Sequence, residues 1–271
     1  MPLTDTHCHL EAKVFAGDLG KVARHALEHG VERLVAVGVS PEDFPAQRQA
    51  MDTVRAEGLP VLPAFGSHPW WADRVDPETA IAALDRLWLG EETPCDEPAM
   101  VAVGEVGLDF AADVEPDRQN ALFVAQLDWA GAHGLPVILH ERKSADRLLY
   151  WLRRHRHAGG VVHGFVGSVQ QAKQFIDEGF FIGVGGAVTH PGAHRVHRMI
   201  RQLPLEALVL ETDAPNQPGH AHRGERNLPG YLPENLDALA RLRDMEIGEL
   251  AAVIDGNTAR LFGLPADCAG A

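Results

Sequence analysis

Apolar, β-branched runs recur along this chain, with amphipathic stretches between them. Strands are predicted over residues 3–9, 33–39, 61–67, 100–106, 136–141, 160–165, 180–186 and 207–212. Helical spacing fills 18–29, 43–57, 77–89, 116–133, 144–157, 168–178, 192–202 and 233–263. Asp18, Ser40, Asp76, Ser144 and Ser168 stand where N-caps are expected. Gly30, Gly58, Gly134 and Gly179 stand where helices should close.

The strands are continuously apolar rather than alternating, which is the pattern of a parallel sheet covered on both faces. Eight strand–helix units predict a closed (β/α)8 barrel more than an open sheet. No GxGxxG follows the first strand, against a doubly wound dinucleotide fold. Gly183-Val184-Gly185-Gly186 lies in a predicted strand and reads as easing close packing rather than cradling phosphate. No linker, repeat or low-complexity tract interrupts the pattern. One α/β domain over 1–265 with a short tail over 266–271 is the simplest reading.

Polar residues collect at the C-terminal ends of these strands, where the active sites of such barrels lie. The first strand carries His7 and His9, one residue apart and therefore on one face, with Cys8 turned the other way. Such a pair can grip a metal, because neutral imidazole is a common ligand, or simply hydrogen-bond at a strand end. The third strand runs into His68, the fourth into Glu105 and Asp109, the fifth into His140, the sixth into His163 and the eighth into Asp213. Singly, each has a dull reading as a loop, cap or turn residue. Together, His7, His9, Glu105, His140, His163 and Asp213 form a cluster of ionisable groups at one rim, which needs a counter-charge or a metal.

Imidazoles mixed with carboxylates suit Zn, Mn, Fe or Ni better than an all-oxygen Ca or Mg site. Six candidate ligands exceed what one tetrahedral ion takes, which implies two ions about 3.5–4 Å apart. Glu105 is the expected bridge. The lysines, Lys13, Lys21, Lys143 and Lys173, all lie outside the fourth strand, so none is positioned as a carboxylated bridging lysine.

Charge and cysteine content narrow the function classes. Net charge is −14, from 24 basic and 38 acidic residues, against a broad basic footprint on nucleic acid but compatible with a small anion-binding pocket. Cys8, Cys95 and Cys268 are widely spaced and form no CxxC, as expected in a reducing cytoplasm. The N-terminus lacks a basic region followed by an apolar run, so no export signal is expected. Hydrophobic content of 45% suffices for a packed core, and no stretch approaches a membrane span.

Several motifs in order carry a family resemblance. Asp5-Thr6-His7-Cys8-His9-Leu10, Gly66-Ser67-His68-Pro69, Gly104-Glu105-Val106-Gly107-Leu108-Asp109, His140 with Arg142, Val162-His163-Gly164-Phe165 and Glu211-Thr212-Asp213-Ala214-Pro215 resemble the TatD-like metal-dependent hydrolases. The resemblance runs from residue 4 to about 264 and includes Arg223-Gly224-x-x-Asn227-x-Pro229 and Asn257-Thr258-Ala259-Arg260-Leu261-Phe262. Val161 to Pro215 is most similar to the YjjV-like subgroup. The resemblance implies a TIM barrel, two divalent ions (Zn, Mn or Mg) and a DNase, mainly a 3′-to-5′ exonuclease. It also implies that His7, His9, Glu105, His140, His163 and Asp213 are metal ligands and that His68 lies on the substrate side. Glu141, beside Arg142, and the run Asn216-Gln217-Pro218-Gly219-His220 depart from the family pattern near the expected substrate mouth.

The expected reaction is phosphodiester hydrolysis by a metal-activated water, on DNA ends or a small phosphodiester. Asp213 and Glu105 are the expected catalytic groups. His68, Arg142 and Arg223 are the expected phosphate contacts. Trp70-Trp71 offers either a base-stacking surface or rim packing. The same site on an amide, lactone or ester, or a non-catalytic metal-binding barrel, are the competing readings, since function lives in the site and not in the barrel.

Overall fold

The computed structural model of the chain describes residues 3–90 and 99–264. Cys95, Cys268 and the tail expected over 266–271 lie outside the described residues. Eight strands form one parallel sheet in sequential order: β1 (Leu3–Cys8), β2 (Val31–Val37), β3 (Val61–Phe65), β4 (Ala102–Asp109), β5 (Val137–Arg142), β6 (Gly160–Val162), β7 (Phe180–Val184) and β8 (Leu208–Leu210). The ring is drawn shut by β1 and the segment after β8. The Asp213 N–H donates to the His7 carbonyl at 2.9 Å and the His9 N–H to the Ala214 carbonyl at 2.8 Å. This is the (β/α)8 barrel expected from the pattern.

Helices α1 (Leu19–Glu28), α2 (Phe44–Ala56), α3 (Pro77–Trp88), α4 (Pro116–His133), α5 (Ala145–Leu152), α6 (Val169–Asp177) and α7 (His194–Gln202) follow the first seven strands. Between them and the sheet lies the main apolar layer. Inside the barrel, Val35, Val37, Ala64, Ala102, Ile138, Val161 and Val209 form a separate buried cluster. Apolar packing on both faces explains why the strands are not alternating.

Four details differ from the sequence pattern. The helical stretch expected over 233–263 is two helices, α8 (Leu232–Arg243) and α9 (Ile247–Phe262). Asp244 breaks it by taking φ 52°, and the Glu246 carboxylate then caps α9 by accepting from the Gly248 and Glu249 N–H groups. The end of α9 brings Leu261 and Phe262 into the interior cluster. Helix α2 starts after Asp43 rather than Ser40. Asp76 and Ser168 cap with their side chains, whereas Asp18 and Ser144 hold the N-cap position without that bond. Strand β4 continues to Asp109, which puts Glu105 in mid-strand, while β6 stops at Val162 and leaves His163 just beyond it. Gly30, Gly58, Gly134 and Gly179 all take positive φ at helix ends, as expected. No helix among the described residues is long and apolar enough to cross a membrane.

Candidate metal centre

Strand β1 builds the first wall. Alternation sends Cys8 outward, where its Sγ meets the Val35 carbonyl at 3.4 Å, and sends His7 and His9 inward. Asp5 on the same strand is fully buried. Its carboxylate accepts from the Thr212 N–H at 2.9 Å, the Thr212 hydroxyl at 2.5 Å and the His7 N–H at 3.2 Å. Burial raises its pKa to about 7 against the lowering effect of those bonds. Asp5 therefore ties the histidine strand to the turn that carries Asp213.

The donor atoms then divide around the two oxygens of Glu105. Near Oε2 lie His7 Nε2 at 3.4 Å and His9 Nε2 at 3.5 Å. Asp213 Oδ1 completes that group, 3.6 Å from His7 Nε2 and 3.2 Å from His9 Nε2, while the two Nε2 atoms are themselves 3.2 Å apart. Near Oε1 lie His140 Nδ1 at 2.6 Å, His163 Nε2 at 2.7 Å and His68 Nε2 at 3.3 Å. Ligands bound about 2.1 Å from a tetrahedral ion stand about 3.4 Å apart, so the Oε2 group has the spacing a divalent metal requires.

Hydrogen bonds on the far side of each ring assign the lone pairs. His9 Nδ1 donates to the Val37 carbonyl at 3.0 Å, which turns Nε2 toward the centre. His140 presents Nδ1 to Glu105 Oε1 at 2.6 Å, while its Nε2 lies 3.5 Å from Asp109 Oδ2. His68 is the reverse. Its Nδ1 accepts the Trp70 N–H at 3.1 Å, so neutral His68 holds its proton on Nε2 and presents a donor rather than a ligand.

The electrostatics match a site built for positive charge. For Glu105, burial alone would raise the pKa, but His163, His68 and the hydrogen bond from His140 hold it well below the carboxylate range. For Asp213 burial is likewise outweighed, by His9, His7 and His163, and the value falls to about 2. Burial lowers His7 to about 4. It also disfavours charge on His163, yet Glu105, Glu211 and Asp213 bring that ring up to about 9.

Residues that the sequence reading left without a role hold these candidate ligands. Asp109, fully buried, accepts the Trp70 indole N–H at 2.7 Å on the same oxygen that faces His140. Gln217, inside the 216–220 departure, donates to Asp213 Oδ2 at 2.7 Å and so leaves Oδ1 for the histidines. Glu211 accepts the Gly164 N–H next to His163 at 2.5 Å. Gly183 makes room for it, since a Cβ there would lie 2.1 Å from Glu211 Oε2. Asn227 of the late motif donates to the Thr212 and Asn216 carbonyls at 2.7 and 2.8 Å, fixing the Asp213 turn. Asn257 clamps the approach to β8 through the Leu205 and Leu208 carbonyls. An acidic residue inside or just after an apolar run was the visible signal for Asp5, Asp109 and Glu211; Gln217 had none.

His9, His68, Glu105, His140, His163 and Asp213 open into a cavity of about 700 Å³ lined also by Glu11, Trp70, Trp71, Glu141, Arg142 and Gln217, while His7 is fully buried behind them. Arg142 is 61% exposed and its Nη1 lies 3.9 Å from Asp109 Oδ2. Trp70 is 54% exposed with its indole N–H held by Asp109, whereas Trp71 packs against a small apolar cluster. Glu141 turns back to accept the Ser144 N–H at 2.8 Å. Arg223 is exposed and does not line the cavity.

The comparisons with known proteins agree with this geometry. The family described as TatD related DNase matches residues 4–263. The chain is 37% identical over 267 residues to the uncharacterized metal-dependent hydrolase YjjV of Escherichia coli, covering 96% of this chain and 98% of that protein. It is 34% identical over 272 residues to the 3′-5′ ssDNA/RNA exonuclease TatD of Erwinia tasmaniensis, covering 96% and 99%. The crystal structure of Escherichia coli YjjV, a TatD homolog, superposes with a TM-score of 0.85 at 35% identity over 97% of this chain and 98% of that one. This chain belongs to the TatD family of metal-dependent hydrolases.

Proposed function

We infer that this protein is a divalent-metal-dependent phosphodiesterase that acts on the ends of single-stranded nucleic acid, in the manner of a 3′-to-5′ exonuclease. The observation that carries the reading is the division of the donors between the two carboxylate oxygens of Glu105. A carboxylate so shared is suited to hold two ions, one with His7, His9 and Asp213, the other with His140 and His163. Such ions supply Lewis acidity and lower the pKa of a bound water toward neutrality.

The chain's own groups supply the rest. Asp213 Oδ1, whose neighbouring oxygen is occupied by Gln217, is aimed to orient the attacking water and take its proton. His68, protonated on Nε2 by its bond from Trp70, donates to a phosphate oxygen as charge builds there. Arg142 at the mouth offers a second, charge-assisted contact. The choice of a phosphodiester draws on the full-length relative named as an exonuclease. A net charge of −14 favours strand ends or short substrates over long duplex.

The test is a panel of 3′-labelled single-stranded DNA, bis-nitrophenyl phosphate and small amides or esters, each with Mn, Mg and Zn. Cleavage of both phosphodiesters, abolished in Asp213→Asn with metal retained, is the expected outcome. Cleavage of amides or carboxylic esters alone would assign the same site to the competing chemistry. No hydrolysis across the panel, with metal bound, would leave a non-catalytic metal-binding barrel.

A further inference from the structure

Beside the metal cavity lies a second depression, of about 790 Å³, between the β5–α5 turn, the segment after β6 and the start of α7. It shares Glu141, Arg142 and Val166 with the metal cavity, so the two are continuous. In a protein of net charge −14, this trough presents Arg142, Lys143, Arg147 and Arg195 against only two carboxylates, Glu141 and Asp146. Of these, Glu141 is already engaged by the Ser144 N–H at 2.8 Å.

The cations are exposed yet firmly based. Arg142 ends β5, and Ser144 anchors the turn by donating its hydroxyl to the Leu108 carbonyl at 2.7 Å. Arg147 lies on the first turns of α5, with its guanidinium 5.5 Å from the Tyr150 ring. Arg195 faces them from α7 and is tethered through Nε to the Gly167 carbonyl at 3.2 Å. Among the described residues, no carboxylate pairs with Lys143, Arg147 or Arg195 at salt-bridge distance. Unneutralised cations held on rigid elements along a groove that opens into a hydrolytic centre are the footprint of a chain-like anion.

We propose that this trough is a second subsite, which holds the backbone phosphates of the two or three nucleotides adjoining the one cleaved in a single-stranded nucleic acid. The proposal rests on the phosphodiesterase reading, and it gives the enzyme a preference for oligonucleotides over isolated phosphodiesters. The metal centre alone supplies no such preference.

The test is the double variant Arg147→Glu/Arg195→Glu in metal-loaded protein, with Arg147→Lys/Arg195→Lys as the control for folding. Binding is read by fluorescence anisotropy of a fluorescein-labelled phosphorothioate dodecathymidylate and its dimer, and turnover with bis-nitrophenyl phosphate. Wild type is expected to bind the dodecamer at least tenfold more tightly than the dimer. The charge-reversed variant loses that advantage, its salt dependence flattens by about 1.4 in the log–log slope for two lost phosphate contacts, and its kcat on bis-nitrophenyl phosphate is unchanged. The lysine variant keeps most of the advantage.

Equal dodecamer affinity in wild type and the charge-reversed variant would overturn the subsite, as would equal affinity of wild type for dodecamer and dimer. Displacement of the dodecamer by polyglutamate at equal charge concentration would overturn its specificity for nucleic acid. Trough-dependent binding without cleavage of any phosphodiester would support the subsite and sink the phosphodiesterase reading. Hydrolysis of bis-nitrophenyl phosphate without a length advantage would do the opposite.

Discussion

Two layers inside one barrel use the same strands for opposite ends. Toward the middle, Val35, Val37, Ala64, Ala102, Ile138, Val161 and Val209 face one another with no polar atom among their side chains. One layer up, His7, His9, Glu105, His140, His163 and Asp213 crowd together, and among the described residues His7 Nδ1, His140 Nε2 and His163 Nδ1 have no hydrogen-bond partner. The lower layer gains stability from every buried methyl group. The upper one buries charges and unpartnered nitrogens at a cost in stability, which is the usual trade at an active site. Variants in the two layers should therefore separate activity from stability.

The largest effect is expected from Glu105→Gln, which keeps shape but removes the charge shared by both donor groups. Hydrolysis should fall by about a thousandfold or more, roughly 4 kcal/mol of barrier. Thermal unfolding of the metal-free variant, set beside metal-free wild type, separates that loss from any loss of folding. A variant that keeps wild-type turnover would remove Glu105 from the centre.

Ile138→Ala in the lower layer should do the converse. Denaturant titration should show a loss of about 2–5 kcal/mol, while turnover per folded molecule stays within a few-fold. Gln217→Ala, which frees Asp213 Oδ2, should cost about 10–100-fold in metal affinity or activity, as removal of a group that orients a ligand usually does. A titration showing unchanged affinity and rate would make that contact incidental.

The smallest effect calibrates the others at the surface. The bidentate Arg226 hydrogen bonds hold the Asp18 carboxyl below its ordinary value. A depressed carboxylate stabilises above its unfolded pKa and loses that contribution as pH falls through the folded one. Asp18→Asn should thus cost less than about 1 kcal/mol near neutrality, and the difference from wild type should shrink below about pH 4. A pH-independent difference would point to packing instead.

Sequence alone revealed the barrel and the six rim residues, because strand alternation forces His7 and His9 to one face and parallel order brings all eight strand ends together. It left the ligands' supports without roles. Asp5 finds Thr212 only once the barrel closes, and Asp109 reaches Trp70 and His140 from neighbouring strands. The direction in which each imidazole points its lone pair depends on carbonyls such as that of Val37 and on the Trp70 amide, which no spacing encodes. The break at Asp244 was hidden for a related reason: apolar periodicity continues across it while the backbone turns left-handed. Arg223 belongs to a motif yet lies away from the cavity, whereas its neighbour Asn227 does that motif's work by tying down the Asp213 turn.

The bridge at Glu105 is tested most directly by electron paramagnetic resonance of the Mn-loaded protein, with Mn counted by elemental analysis. Two ions per chain with a spin-coupled spectrum are expected, and Glu105→Gln should abolish the coupling. One ion per chain, or an uncoupled six-line spectrum at full loading and full hydrolytic activity, would contradict the shared carboxylate.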